Sequence, residues 1–460
     1  MDSLPTESSH TKPPAGMNSL PCDVVTDILA LLLPRDLAAA RCVCKAWRAT
    51  VDAGGLLRAD LLPLTVGGVF THLPNEMLPP QFLWRPSSPK VSGDLEYVGI
   101  DSHYGITLPR IADCCNGLLL LNNCVVNPAT RRWARLPPCP PLPEGRGRKH
   151  GYLLYNDGYL LFDPTVSPHY QVVRLPYLLS IEQLKKKFAE GQLVEWPPSP
   201  WIVQVFSSRT HRWEDRSIVR EVEGIAIPDL LELSLQQPMV IPCYSAYWHG
   251  SLYMHFEEGY LVRLTLSDEN YQVIKTPALV GINRRENGIL RIGKSKGGVY
   301  CAFTCEYQLR VWFLAEFGAE TEWILVHDTN LVAIEKHVCR NIDHRAYGPW
   351  ILQNCYRKED WTTEEGVLEW DFDSDNIPNV DIQDVDTRAY EGAYVPIIGF
   401  HPYKEVIFLH LNECYAVAYH WNSSKVQYMS RKLWTSTYDQ DADSHFIYSP
   451  CWTGDLAEEN

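Results

Sequence analysis

A short apolar run, a tight turn, a second apolar run, a polar turn and an aromatic residue recur along this chain from about residue 61 to residue 450. Gly117-Leu118-Leu119-Leu120-Leu121 leads to Val125-Val126-Asn127-Pro128-Ala129-Thr130-Arg131-Arg132-Trp133. Gly158 to Thr165 is followed by Tyr170 and Val172-Val173, and Ile202 to Phe206 runs into Ser207 to Trp213. Gly250 to Met254 pairs with Tyr260 to Leu264, and Gly298 to Phe303 with Leu309 to Trp312. Glu405 to Leu409 is followed by Ala416 to Tyr419 and Lys425 to Tyr428. The interval from Asn127 to Trp133 equals that from Ser207 to Trp213. Such a unit, built of strands alone and repeating at a spacing of ~40–50 residues, is the signature of propeller blades. Residues 61–450 at roughly 45–50 per blade allow six to eight blades, fewer if part of the stretch is an insertion. The competing arrangement is an irregular β-sandwich array that never closes.

Composition fits a strand-rich chain with frequent turns. Of 460 residues, 24 are Tyr, 15 Trp, 33 Pro and 28 Gly. With 45% apolar and 21% charged residues, a sizeable core is expected. The 41 basic residues against 56 acidic ones leave a net charge of −15, which argues against a nucleic-acid binder. The excess is local. Residues 357–390 carry eleven acidic side chains against Arg357, Lys358 and Arg388, and the tail 451–460 adds Asp455, Glu458 and Glu459. An acidic, loop-like insertion at about 357–390 and a charged tail are therefore expected, both solvated. Residues 1–16, rich in Ser, Thr and Pro, read as disordered and lack the apolar core of a secretory signal. No apolar run reaches the length of a membrane span. The 14 cysteines form no Cys-x-x-Cys pair, so reduced thiols in cytosol or nucleus are expected, without disulfides or structural zinc.

Residues 17–60 differ from all that follows. Pro21 suits a first helical turn and Asp23 a helix N-terminus. Val24, Val25, Ile28, Leu29 and Leu32 recur at helical spacing, and Pro34 stops them. Asp36 then caps a second predicted helix, in which Leu37, Ala40, Cys44, Trp47 and Val51 form a stripe flanked by Val43, up to Gly54-Gly55. So short a helical module carries more apolar surface than it can bury alone.

Several familiar patterns fail on context. Gly288 to Ser295 spells a phosphate loop, G-x-x-x-x-G-K-S, but no helix can start after it, and Ile289, Leu290 and Ile292 read as a strand. Gly293-Lys294-Ser295-Lys296-Gly297 spells a nucleophile elbow, yet it sits in a hairpin turn. Asp371, Asp373 and Asp375 open like a calcium loop that then lacks its glycine and its bidentate glutamate. His401, His410 and His420 fall on separate strands or turns. Lys185-Lys186-Lys187 and Arg146 to Lys149 read as exposed basic loops. No catalytic, cofactor or metal residue is expected, and a propeller enzyme stays an alternative without a constellation to support it.

One block is specific. Leu20-Pro21-Cys22-Asp23-Val24-Val25-Thr26-Asp27-Ile28-Leu29, then Leu33-Pro34-Arg35-Asp36-Leu37, then Arg41-Cys42-Val43-Cys44-Lys45-Ala46-Trp47-Arg48 strongly resembles the F-box. Cys115-Asn116-Gly117-Leu118-Leu119-Leu120 with Val126-Asn127-Pro128-Ala129-Thr130 resembles the kelch-like, F-box-associated repeats of plant F-box proteins. The resemblance implies a multidomain α plus all-β chain, a small helical F-box followed by a propeller-like domain. It implies docking on a Skp-type adaptor, and through it on a cullin ubiquitin ligase, with the β domain capturing a substrate protein. Leu20, Pro21, Ile28, Leu29, Leu33, Pro34, Leu37, Val43, Cys44 and Trp47 would divide between the adaptor groove and the helices' own packing. An adaptor-bound scaffold or antagonist acting outside a ligase is the alternative.

Overall fold

The computed structural model describes residues 21–32, 37, 40–41, 43–54, 56, 65–72, 80–85, 91–95, 97–98, 110–121, 123–140, 158–175, 189–190, 197–221, 244–256, 259–277, 288–305, 307–317, 320–341, 349–353, 395–411, 415–431, 444–452 and 456. The chain divides into two compact units, Met1–Pro63 and Leu64–Asn460. The 1–16 segment, Leu20, Leu33, Pro34, the basic stretches 146–149 and 185–187 and the acidic 357–390 stretch lie outside the described residues.

The first unit holds α1 (Cys22–Ala30) and α2 (Lys45–Ala53). The predicted second helix is interrupted. Leu37, Ala40 and Arg41 are helical, Val43 and Cys44 are not, and α2 begins only at Lys45. Cys44 makes the new start: its carbonyl accepts the Arg48 N–H at 3.0 Å and its Sγ the Trp47 N–H at 3.4 Å. That is a cap in the middle of an apolar periodicity, with sulfur in place of the usual oxygen.

The second unit opens with β1 (Gly68–His72) and β2 (Gln81–Trp84). Among the described residues, five antiparallel sets of four consecutive strands follow. The first is β3 (Ile111–Cys115), β4 (Leu118–Leu121), β5 (Cys124–Asn127) and β6 (Arg132–Arg135); the next is β7 (Tyr159–Leu161), β8 (Gln171–Arg174), β9 (Trp201–Ser207) and β10 (Arg212–Arg220). Then come β11 (Ser245–Trp248), β12 (Ser251–Phe256), β13 (Tyr260–Thr265) and β14 (Asn270–Lys275), and after them β15 (Ile289–Ser295), β16 (Gly298–Cys305), β17 (Gln308–Phe317) and β18 (Glu320–Asn330). Helix α3 (Val332–Asn341) and β19 (Ile351–Gln353) precede β20 (Ile397–Phe400), β21 (Val406–Leu411), β22 (Tyr415–His420) and β23 (Lys425–Arg431), and the last strand is β24 (Ser444–Tyr448). The remaining sheet gathers its strands from the whole chain, in the order β19-β2-β1-β24. A short parallel pairing, Val219 with Asn270 and Arg220 with Tyr271, ties the outer strands β10 and β14 together.

These six sheets are blades of a closed ring. The inner strands neighbour one another in the cycle β24, β3, β7, β11, β15, β20 and back to β24. Each of the six interfaces holds its own apolar cluster. Both faces of a blade are therefore buried, which explains uninterrupted apolar runs where a half-exposed strand would alternate. Leu119 and Leu121 face the blade before theirs, beside Phe70 and Tyr448, while Leu118 and Leu120 face the blade after, beside Leu160 and Phe206.

The repeated turns have a common geometry. Asn127↔Arg132, Ser207↔Arg212, Thr265↔Asn270 and His420↔Lys425 close equivalent hairpins between third and fourth strands. In all four the residue before the second partner has positive φ: Arg131, His211, Glu269 and Ser424, at 51–55°. Asn127 supports its turn by accepting the Ala129 N–H at 3.1 Å. The tryptophan after each of the first two turns then covers the interface with the preceding blade, Trp133 against the closing blade and Trp213 against its neighbour. Between first and second strands, Asn116-Gly117 and His249-Gly250 make two-residue turns with both φ values positive. The phosphate-loop look-alike is the strand β15 and its hairpin to β16, as its isoleucines indicate. A strands-only reading misses α3, whose Val332 N–H is bonded by Asn330 Oδ1 at 2.9 Å and whose Val332, Ile334 and Val338 fill the cluster between two blades.

Candidate functional site

In the first unit, α1 begins at Pro21, whose carbonyl accepts the Val25 N–H at 3.1 Å. Its apolar residues part into two rows. Val25 and Leu29 turn inward and join Leu37, Ala40 and Val51 in a small core, with Trp47 and Leu56 half-buried at its edge. Val24 and Ile28, each one position earlier on the helix, and Leu32, just past its end, are 37–41% exposed; Leu31 is exposed as well. Val43, at the break before α2, is 66% exposed.

The residues expected to serve an adaptor thus fall into separate groups. Leu29 and Leu37 pack the unit itself, and Trp47 borders that core. Ile28 and Val43 face solvent, Pro21 caps α1, and the exposed Cys44 caps α2. Val24, Leu31 and Leu32 belong with the exposed group; the sequence motif does not single out Leu31, because exposure depends on helix phase.

The second unit has an axial cavity of about 140 Å³, walled by the inner strands around the ring. Among the described residues, three charged side chains line it. Asp113 on β3 accepts the N–H groups of Cys114 and Leu160, each at 2.8 Å, and the Ser245 hydroxyl at 3.2 Å, so it links three blades. Arg291 on β15 donates to the carbonyl oxygens of Ile397, at 3.4 Å, and of His445. The guanidinium also lies 3.6 Å from the centre of the Tyr244 ring. Lys294, the seventh of the eight residues of the look-alike motif, donates to Asn116 Oδ1. Sequence reading passes over Asp113 and meets Arg291 and Lys294 only inside the rejected phosphate-loop spelling. The signal it had was a charge placed inside an apolar inner strand, at Asp113 and again at Arg291. The histidines His401, His410 and His420 sit outside this group: His401 Nδ1 accepts the Tyr403 N–H at 3.1 Å, His420 meets Gln427 at 3.1 Å, and burial pushes His410 down to about 3.

Burial raises Asp113 to about 6, against the opposing effect of its three donors. Its folded value exceeds its unfolded value, so the stability it contributes is present below about pH 4 and is lost as pH rises through about 6. Measured against an Asp113→Asn chain, wild-type stability rises by about 2 kcal/mol between pH 7 and pH 4. Thermal unfolding of both chains across that range checks it; a pH-independent difference contradicts it. At neutral pH the asparagine is itself costly, since its NH₂ must face one of the backbone donors.

Residues 17–58 match the F-box-like family. The chain is 25% identical over 339 residues to the F-box protein CPR1 of Arabidopsis thaliana, covering 67% of this chain and 73% of the relative. It is 22% identical over 329 residues to another F-box protein of the same plant, covering 67% of this chain and 72% of the relative. The N-terminal unit is therefore an F-box-like domain, carried on a chain that is similar over two thirds of its length to plant F-box proteins.

Proposed function

We propose that the protein is the substrate-recognition subunit of a Skp–cullin–F-box ubiquitin ligase. The observation that carries this reading is the exposed apolar row of an F-box-like unit: Val24, Ile28, Leu31, Leu32 and Val43 lie outside the unit's own core. Exposed apolar side chains gathered on one small module suit burial by a partner. Ile28 and Val43 contact the Skp-type adaptor; Leu29, Leu37 and Trp47 hold the helices that present them, with Pro21 and Cys44 fixing the helix starts. Leu20, Leu33 and Pro34 lie outside the described residues and are the further positions that the F-box resemblance implies for adaptor contact or helix packing.

The β unit is the receptor for a target protein, its blade-connecting loops supplying recognition on a rigid ring. The chain itself performs no chemistry. Ubiquitin transfer belongs to other subunits, and holding a target beside them raises its effective concentration. The cytosol or nucleus is the setting for such an assembly.

Reconstitution tests the proposal. The full chain, a Skp-type adaptor, a cullin with its catalytic partner, and proteins captured by the β unit are combined with the ubiquitin-transfer enzymes. Conjugates on captured proteins that depend on this chain are the expected result. Adaptor binding without any conjugation points instead to the scaffold or antagonist.

A further inference from the structure

We propose that the axial cavity of the β unit binds a compact organic acid, its carboxylate met by Arg291 and Lys294 and its apolar body by the aromatic wall. The inference is independent of adaptor docking. It starts from two cations whose protein partners are all neutral. Arg291 has the carbonyls of Ile397 and His445 and the face of Tyr244; Lys294 has the amide oxygen of Asn116. Carbonyls occupy two of the five N–H groups of a guanidinium, which leaves donors for an acid. Arg291 is buried and Lys294 half-buried, and a buried cation is ordinarily matched by an anion.

The one carboxylate that lines the cavity among the described residues, Asp113, does not supply that match. Asp113 spends its oxygens on Cys114, Leu160 and Ser245, and no ion pair joins it to either cation. Four further groups of the wall are held neutral at pH 7. Burial holds the Cys114 and Cys115 thiols and the Tyr403 phenol above their usual range, and burial with Arg291 nearby holds His445 well below its own. Among the described residues of the wall, two positive charges therefore face one negative charge.

Size and surface set the rest of the ligand. The cavity of about 140 Å³ is close to the roughly 150 Å³ that accommodates a benzene ring. Tyr244, Tyr247, Phe400, Phe446 and Leu160 supply apolar wall. Gly399 keeps that wall open beside the guanidinium: a Cβ there would stand 2.8 Å from Ile447 and 3.8 Å from Arg291 Nε. The fitting class is a monocarboxylic acid of about benzoate size.

Calorimetric titration of the full chain at pH 7 tests this with benzoate, its neutral isostere benzamide, and inorganic phosphate. The expected result is one benzoate per chain, bound more tightly than about 1 mM, with benzamide at least tenfold weaker. A Lys294→Gln chain that unfolds at the wild-type temperature binds benzoate at least tenfold more weakly. Benzamide binding as well as benzoate would show an apolar hole without acid recognition and overturn the proposal. So would phosphate binding with benzoate silent, absence of benzoate binding, or unchanged affinity in Lys294→Gln. The benzoate–benzamide comparison needs no variant, so the test survives a substitution that fails to fold.

Discussion

Ile28→Asp in the full chain weakens capture of a Skp-type adaptor at least ~100-fold, about 3 kcal/mol, while the thermal midpoint stays at the wild-type value. Ile28 is 38% exposed and lies outside the core formed by Val25, Leu29, Leu37, Ala40 and Val51. A charge at such a position is solvated in the free protein, so folding changes by no more than about 0.5 kcal/mol. In the complex the same carboxylate must be buried against an apolar surface without a partner, which costs several times more. The neighbouring residue behaves oppositely. Leu29 is 1% exposed, so Leu29→Ala removes core volume and destabilises the first unit by ~2–5 kcal/mol. Its binding defect follows the fraction of unfolded domain and disappears on cooling. Pull-down and thermal unfolding on the same two variants separate the roles. Equal loss of stability in both would show that the two rows on α1 are not distinct.

A chain ending at Asp443 loses the cooperative unfolding of the β unit. The deletion removes β24, the inner strand of the closing blade, which pairs with β1 from Gly68↔Tyr448 to His72↔Ser444. It opens two interfaces at once, because β24 also neighbours β3 and β20. A graded version is Phe82→Ala. Phe82 is fully buried, stacks on Phe70 at 4.3 Å between centroids and meets the edge of Tyr448 at 6.0 Å. Its loss costs ~3–5 kcal/mol. The site cannot collapse to fill the gap readily, since Gly68 and Gly93 already bring backbone against the ring. Urea unfolding followed by near-ultraviolet circular dichroism checks both. A truncated chain with a wild-type midpoint would mean the ring does not depend on its C-terminal strand.

The parts of this architecture carried by local chemistry were readable before any coordinates. The turn at Asn127 and its twin at Ser207 announce themselves by polar residues followed at fixed distance by tryptophan, because one hairpin geometry demands both. The F-box-like stretch was readable because its prolines and apolar spacing lie in one continuous block. The rest depends on distant pairing. Nothing in Ser444 to Tyr448 states that it pairs with Gly68 to His72, and nothing in Ile351 to Gln353 states that it edges the same sheet, so blade number and closure stayed open. Helix phase was ambiguous in another way. The periodicity of Leu37, Ala40, Cys44, Trp47 and Val51 continues across Val43-Cys44 although the helix does not. The cavity charges were hidden by a misleading motif: Arg291 and Lys294 fall inside a phosphate-loop spelling that folds as a strand.

Hydrogen–deuterium exchange of the full chain, with and without a saturating Skp-type adaptor, tests the central claim most directly. The predicted result is adaptor-dependent protection of backbone amides in α1, from Val24 to Leu32, and around Val43, with the inner strands of the ring unchanged. Binding that leaves those segments unprotected, or that protects blade loops in their place, would contradict the assignment of the exposed apolar row as the docking surface.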